Sequence, residues 1–244
     1  MDGNYSTYNY ISSARRLDEI LNQPNGQFEE PKALPDRDEL TFTNGFYGWC
    51  SALFVDIRDS SGLTDKHTRP VLAKIYRAFI SEMVAVLNGA KQVREVNIVG
   101  DCVWAVYNTP QKADINEVFS RASQANTLKK LLNAKLEKKG YSSLNFGIGI
   151  DYGRALMIKA GYSGSGINDV VYMGDVVNSA AHLAHKAGRG WSDPIWAGSV
   201  FAQNLNEHNS GLLTSKYDYE MSRTVHTGNV INTAMHDWID ENFN

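Results

Sequence analysis

Residues 93–107 read VREVNIVGDCVWAVY, two β-forming apolar runs on either side of Gly100-Asp101. A Gly-Asp pair between such runs predicts a tight hairpin joining strands Val93–Val99 and Cys102–Tyr107. Upstream, Cys50–Ile57 is a compact apolar run that reads as a buried strand. Between it and the hairpin, Val71, Ile75, Phe79, Met83 and Leu87 recur every fourth residue, one face of a long helix over Thr68–Leu87. Downstream, Asn116–Lys138 repeats the helical spacing, and Leu144–Ile150 reads as the next strand. The order β-α-β-β-α-β predicts an α/β (α+β) fold of the ferredoxin-like, split β-α-β kind.

The flanks follow from this centre. Asp151-Tyr152-Gly153-Arg154 reads as a turn between Leu144–Ile150 and a strand Ala155–Lys159. Tyr162–Asp169 reads as a Gly/Ser loop and Asp175–Lys186 as an alanine-rich helix. A short strand Ile195–Ala197, a short helix Ser199–Leu205 and a closing strand pair, Tyr217–Val225 with Val230–Trp238, make a C-terminal extension. Residues 1–44 are polar and carry Pro24, Pro31 and Pro35; within them Ile11–Leu21 has helical spacing. The expected division is therefore an N-terminal helix and loop over 1–44 and one domain over 45–244.

Composition narrows the function. The chain has 244 residues, 43% of them hydrophobic and 21% charged, enough to bury a core. A net charge of −3 excludes a broadly basic nucleic-acid coat, so no nucleic-acid partner is expected. Cys50 and Cys102 make no disulfide framework and read as small core side chains. No signal peptide is visible in MDGNYSTYNY and no apolar run reaches the ~18 residues of a membrane span. The expectation is a soluble cytoplasmic protein with no membrane partner.

Two aspartates stand out. Asp56 ends a buried strand in LFVDIRDSSG, and Asp101 sits at the hairpin tip, 45 residues on with one helix between. In a split β-α-β sheet those strands are neighbours, so the two carboxylates can meet at one edge. Paired hard oxygen ligands suit Mg²⁺ or Mn²⁺ held with a nucleoside triphosphate. Asp59-Ser60-Ser61-Gly62 follows at once, and a tight turn there would aim backbone N–H groups at phosphates. Arg154 could add a cation. In VVYMGDVVNSAAHL, residues 170–183, Gly174 permits close backbone approach, and Asn178 and His182 lie four apart on one helix face.

FVDIRDSS, VNIVGDCVWAVY, GIGIDYGRALMIKAG and VYMGDVVNSAAHLA, in this order and spacing, resemble the class III nucleotidyl cyclase catalytic domain over roughly Cys50–Leu205. The resemblance implies a head-to-tail homodimer with composite sites. Asp56 and Asp101, with the Ile57 carbonyl, would hold two Mn²⁺ or Mg²⁺ ions per site. Ser60 and Ser61 would contact phosphates through the backbone, Arg154 would bind phosphate, and Asn178 would position the ribose. His182 stands where the family usually has a transition-state arginine.

At the family's two purine-reading positions this chain has Asn97 and Val171. Neither purine code is present: Val171 offers no hydrogen bond, whereas Asn97 can both donate and accept, which suits a pyrimidine edge. Tyr47 and Trp49, before the first strand, are candidates to stack on or fill behind a smaller base. Stand-alone cyclase domains with an altered purine code resemble the bacterial pyrimidine cyclases of Pycsar anti-phage defence. The expected reaction is UTP to 3′,5′-cyclic UMP and pyrophosphate, the cyclic product being a signal read by a separate effector. CTP, a purine nucleotide, and binding without turnover are the alternatives, in that order.

Overall fold

The computed structural model describes residues 2–243; Met1 and Asn244, the outer ends of the two expected segments, lie outside the described residues. The chain begins with α1 (Tyr10–Leu21) and β1 (Phe28–Glu29). The centre is β2 (Gly45–Ile57), α2 (Ser60–Lys66), α3 (Arg69–Leu87), β3 (Val93–Val99), β4 (Cys102–Asn108), α4 (Lys112–Glu137) and β5 (Phe146–Tyr162). There follow β6 (Ile167–Met173), α5 (Asp175–Lys186), β7 (Ile195–Gly198), α6 (Ser199–Asn204), α7 (Glu207–Gly211), β8 (Thr214–Asp218), β9 (Arg223–Gly228) and α8 (Thr233–Phe243).

The main sheet runs β3-β4-β2-β5-β7-β9-β8, with β1 on β2 and β6 on β5. The first four strands have the order expected of a split β-α-β unit: β4 lies between β2 and β3 and is antiparallel to both. The sequence periodicities translate directly into burial. Ile75, Phe79, Met83 and Leu87 of α3 are all buried, packed with α4 on one sheet face against Leu53, Val55 and Ile57. Each such side chain contributes about 1.5–3 kcal/mol by leaving water. The opposite face carries Ala52, Phe54, Val106 and Met157, covered by α5 and by Leu34 and Leu40 of the N-terminal segment. Cys50 is buried and Cys102 partly so, and burial pushes both thiols up to about 12, as expected of packing side chains rather than reactive ones.

Three local expectations are corrected. The first is the turn at Asp151–Arg154. β5 is one unbroken strand of 17 residues, paired with β2 from Gly45↔Ile158 to Ile57↔Phe146. Its glycines serve packing: a Cβ at Gly147 or Gly149 would collide with the backbone of α5 at Ala180, Ala184 and Ala187. The second is the loop over Tyr162–Asp169, which is a hairpin in which only residues 163–166 are turn and β6 begins at Ile167. The third is the closing strand pair. It is β8 with β9, joined from Asp218↔Arg223, and Val230–Trp238 instead leads into α8. The Asn232 side chain accepts the Met235 N–H at the start of α8, and Ile239 is buried as α8 packs on α4. The β-branched residues Val230 and Ile231 precede this helix rather than form a strand.

Candidate active site

Asp56 is the penultimate residue of β2 and stands opposite Cys102 in the ladder with β4. Asp101, in the turn before β4, accepts the Ile57 N–H through its backbone carbonyl at 3.4 Å. The two carboxylates are therefore brought to one corner of the sheet. Burial pushes the Asp56 carboxyl above the usual carboxylate value; Arg58 pulls it back, and the like charge of Asp101 pushes it up again. Two partly buried carboxylates that repel one another form a donor set suited to a hard divalent cation. Among the described residues no three His, Cys, Asp or Glu side chains gather as a metal cage, so a cation here would draw further ligands from the backbone and the substrate.

Arg58, which the sequence reading passes over, completes this corner. Its Nη1 donates to Asp56 Oδ2 at 2.8 Å, its Nε to the Ala187 carbonyl at 2.8 Å, and its Nη2 to the Ala184 carbonyl. Nothing in LFVDIRDSSG marks this arginine as buried; the signal lies in the distant glycine, Gly147, that leaves room for it. Asp59 adopts the left-handed conformation (φ 53°) and opens α2, so Ser60 and Ser61 form the first turn of a helix rather than an isolated tight turn. N–H groups in a first helical turn lack partners within the helix, so Ser60 and Ser61 offer backbone donors in a helical rather than a tight-turn geometry.

Asn97 of β3 pairs with Trp104 of β4. Trp104 stacks on Phe54 at 4.9 Å with the rings nearly parallel. Directly paired residues share a sheet face, as do residues two apart on one strand. Asn97, Trp104, Phe54 and Asp56 therefore lie on the α5-covered face. Val171 sits on β6 opposite Ile158 and is exposed, while its neighbour Tyr172 is buried against Glu95.

Asn178 and His182 are exposed on α5, one turn apart. The residue between them in the inward direction, Ser179, donates to buried Asp151 and accepts from Arg223 of β9 (2.6 Å). The end of α5 that meets Arg58 is its C-terminal turn. Asn178 lies nine residues before Ala187, about 14 Å along the helix axis.

Arg154, Tyr47 and Trp49 are not brought to this corner. Arg154 is opposite Trp49, seven rungs from the Asp56↔Gly147 pair, or about 23 Å along the strand. It pairs with Glu30 at 2.6 Å and lies over the Tyr47 ring, while Trp49 stacks on Tyr152. By strand alternation all three face away from the Asp56 side. The physical reason is the unbroken β5: with no turn at 151–154, Arg154 sits mid-strand instead of at a loop tip.

The adenylate and guanylate cyclase catalytic-domain model matches residues 44–190, which hold every residue of this corner. The chain belongs to that family. A uridylate cyclase from Treponema porcinum is 37% identical over 235 residues, covering 96% of this chain and 82% of that protein. A uridylate cyclase from Gulbenkiania mobilis is 38% identical over 259 aligned residues, covering 99% of this chain and 100% of that one. Among solved structures, the adenylyl cyclase CyaB from P. aeruginosa superposes with a TM-score of 0.63 at 19% identity, covering 75% of this chain and 93% of that one. That last likeness shows the fold alone. Cyclases of this family work with divalent cations, and the corner of Asp56 and Asp101 has the donor chemistry for them.

Proposed function

We propose that the chain is a pyrimidine nucleotide cyclase that converts UTP into 3′,5′-cyclic UMP and pyrophosphate. The observation that carries this is the sheet corner that brings Asp56 and Asp101 together, in a chain 37–38% identical over nearly its whole length to uridylate cyclases. In the reaction the ribose 3′-hydroxyl loses its proton, the O3′–Pα bond forms, and the Pα–O bond to pyrophosphate breaks in line. Two Mn²⁺ or Mg²⁺ ions bound there would acidify the hydroxyl and neutralise the leaving group.

The chain's own residues set the rest. Asp56 and Asp101, with the Ile57 carbonyl, hold the cations; Ser60 and Ser61 present backbone N–H groups to the phosphates. Asn97 reads the base edge, and Val171 lines the base without a hydrogen bond. Asn178 orients the ribose and His182 faces the developing charge. Asn178 lies about two and a half turns from the α5 end beside Asp56. That separation supports a head-to-tail homodimer in which one chain supplies the carboxylates and its partner supplies Asn97, Asn178 and His182. Residues 45–244 then form the cyclase domain, with 1–44 bracing it through Leu34 and Leu40. The described residues include no helix long and apolar enough to cross a membrane. The product acts in the cytoplasm as an anti-phage signal for a separate effector.

The test is to incubate the purified protein with UTP, CTP, ATP or GTP and Mn²⁺ and separate the products. Cyclic UMP as the main product is expected. Cyclic CMP or a cyclic purine nucleotide would change the substrate, and binding without any cyclic product would overturn the enzyme reading.

A further inference from the structure

Among the described residues Arg58 is the only buried arginine, with 5% of its surface exposed. An arginine is seldom buried without several partners, because its charge must be both paired and hydrogen-bonded. Here the partners come from two places. One is Asp56 Oδ2; the others are the carbonyls of Ala184 and Ala187, at the C-terminal end of α5. Those carbonyls have no acceptor role within the helix and carry the negative end of its dipole. The Arg58 backbone N–H is also fixed, donating to the Asn145 carbonyl at 2.8 Å. A Cβ at Gly147 would occupy the space the guanidinium needs. The junction is built from three elements and has no slack.

Its position has a chemical meaning. Asp56 faces a second carboxylate, Asp101, and one of its oxygens is already engaged by a cation. A divalent ion approaching the pair is repelled by Arg58, yet finds an Asp56 whose orientation is fixed. We propose that Arg58 is the positioning and charge-balancing residue of the carboxylate pair: it holds one Asp56 oxygen, leaves the other for the metal, and gives up metal affinity for geometry. This rests on the reading of Asp56 as a metal ligand.

The two effects separate in a variant without the charge. Arg58→Gln is expected to bind Mn²⁺ more tightly, by about fivefold, because a nearby positive charge is gone. Its kcat at saturating Mn²⁺ should fall at least about tenfold, because the carboxylate is no longer aimed. Arg58→Lys keeps the charge but cannot fork across the carboxylate and both carbonyls. Its Mn²⁺ affinity should stay within about twofold of the parent, with kcat reduced to a smaller extent than in Arg58→Gln. Mn²⁺ affinity is read by electron paramagnetic resonance on the full chain without nucleotide, alongside circular dichroism for folding. Affinity and kcat moving apart in this way supports the proposal. Mn²⁺ binding that is unchanged or weaker in a folded Arg58→Gln, or parental kcat in Arg58→Lys, overturns it. Should Arg58→Gln not fold, the Arg58→Lys arm decides alone. Asp56→Asn, run in parallel, isolates the underlying assignment: if it binds Mn²⁺ like the parent, the metal reading falls and the Arg58 proposal with it. If it loses Mn²⁺ while Arg58→Gln is unchanged, only the Arg58 proposal falls.

Discussion

The Ile57 backbone N–H donates to the Asp101 carbonyl at 3.4 Å, so the end of β2 and the β3–β4 hairpin are joined one residue beyond the last ladder pair, Asp56↔Cys102. The main chain thereby brings two aspartates distant in sequence to one corner, where Arg58 holds the Asp56 side chain. Removing either side chain leaves this main-chain link in place, although Asp56→Ala also takes the carboxylate from buried Arg58 and lowers stability. Asp56→Ala or Asp101→Ala is expected to lower turnover at least ~1000-fold, several kcal/mol of transition-state stabilisation. Circular dichroism should remain native. Substantial cyclisation by either folded variant would sink the metal assignment.

Shared sites predict complementation. Asp56→Ala and Asn178→Ala, each inactive alone, should regain activity when mixed, because one of the two sites in a heterodimer carries neither defect. Subunit exchange is followed independently with differently tagged chains. Exchange without recovered activity would mean that each chain holds a complete site.

Base choice rests on Asn97. Its amide can accept from uracil N3–H and donate to O4, or, flipped, serve cytosine. Asn97→Ala should weaken pyrimidine use by about 1–3 kcal/mol in kcat/KM, the effect of leaving a polar partner unpaired. Rates with UTP, CTP, ATP and GTP at equal concentration measure this. A preference for ATP or GTP in the parent would overturn the pyrimidine reading and leave the cyclase reading intact.

Asp151 gives the stability a pH signature. Burial raises its carboxyl above the ordinary 3.8, and the hydrogen bonds from Ser179 and Tyr152 and the charge of Arg223 only partly offset this. Between 3.8 and the raised folded value the native chain holds the proton more often than the unfolded one. The contribution of this group to stability therefore falls as pH rises through that window. Asp151→Asn removes the titration, so its urea-unfolding free energy relative to the parent should become more favourable as pH rises through the same window. A relative stability independent of pH there would contradict the assignment.

Much of this was legible in the sequence because it is local. The four-residue spacing of Ile75, Phe79, Met83 and Leu87 and the Gly100-Asp101 turn are written within single elements, and both appear as expected. Gly153 and Asp151 misled for the same reason: they are turn-forming residues locally, but β5 is held straight by thirteen rungs with β2, a long-range pairing. The misreading carried Arg154 to a loop tip it does not occupy. Val230 and Ile231 look like strand, yet the Asn232 cap and the packing of Ile239 decide for helix. Arg58 was invisible because its burial depends on Gly147 and on the end of α5, both remote in sequence.

The unbroken β5 also has a dynamic consequence. Residues 148–150 have β2 on one edge and β7 on the other, and residues 156–158 have β2 and β6. Residues 151–155 have β2 alone, and 159–162 have β6 alone. Alternate amides of an antiparallel strand point to opposite edges, so protection against deuterium exchange rises and falls along one strand. The fastest-labelling interior stretch of β5 is then 151–155, the segment whose residues read locally as a turn. A strand that is rigid in shape thus carries a soft spot in time, set where the neighbours on one side run out.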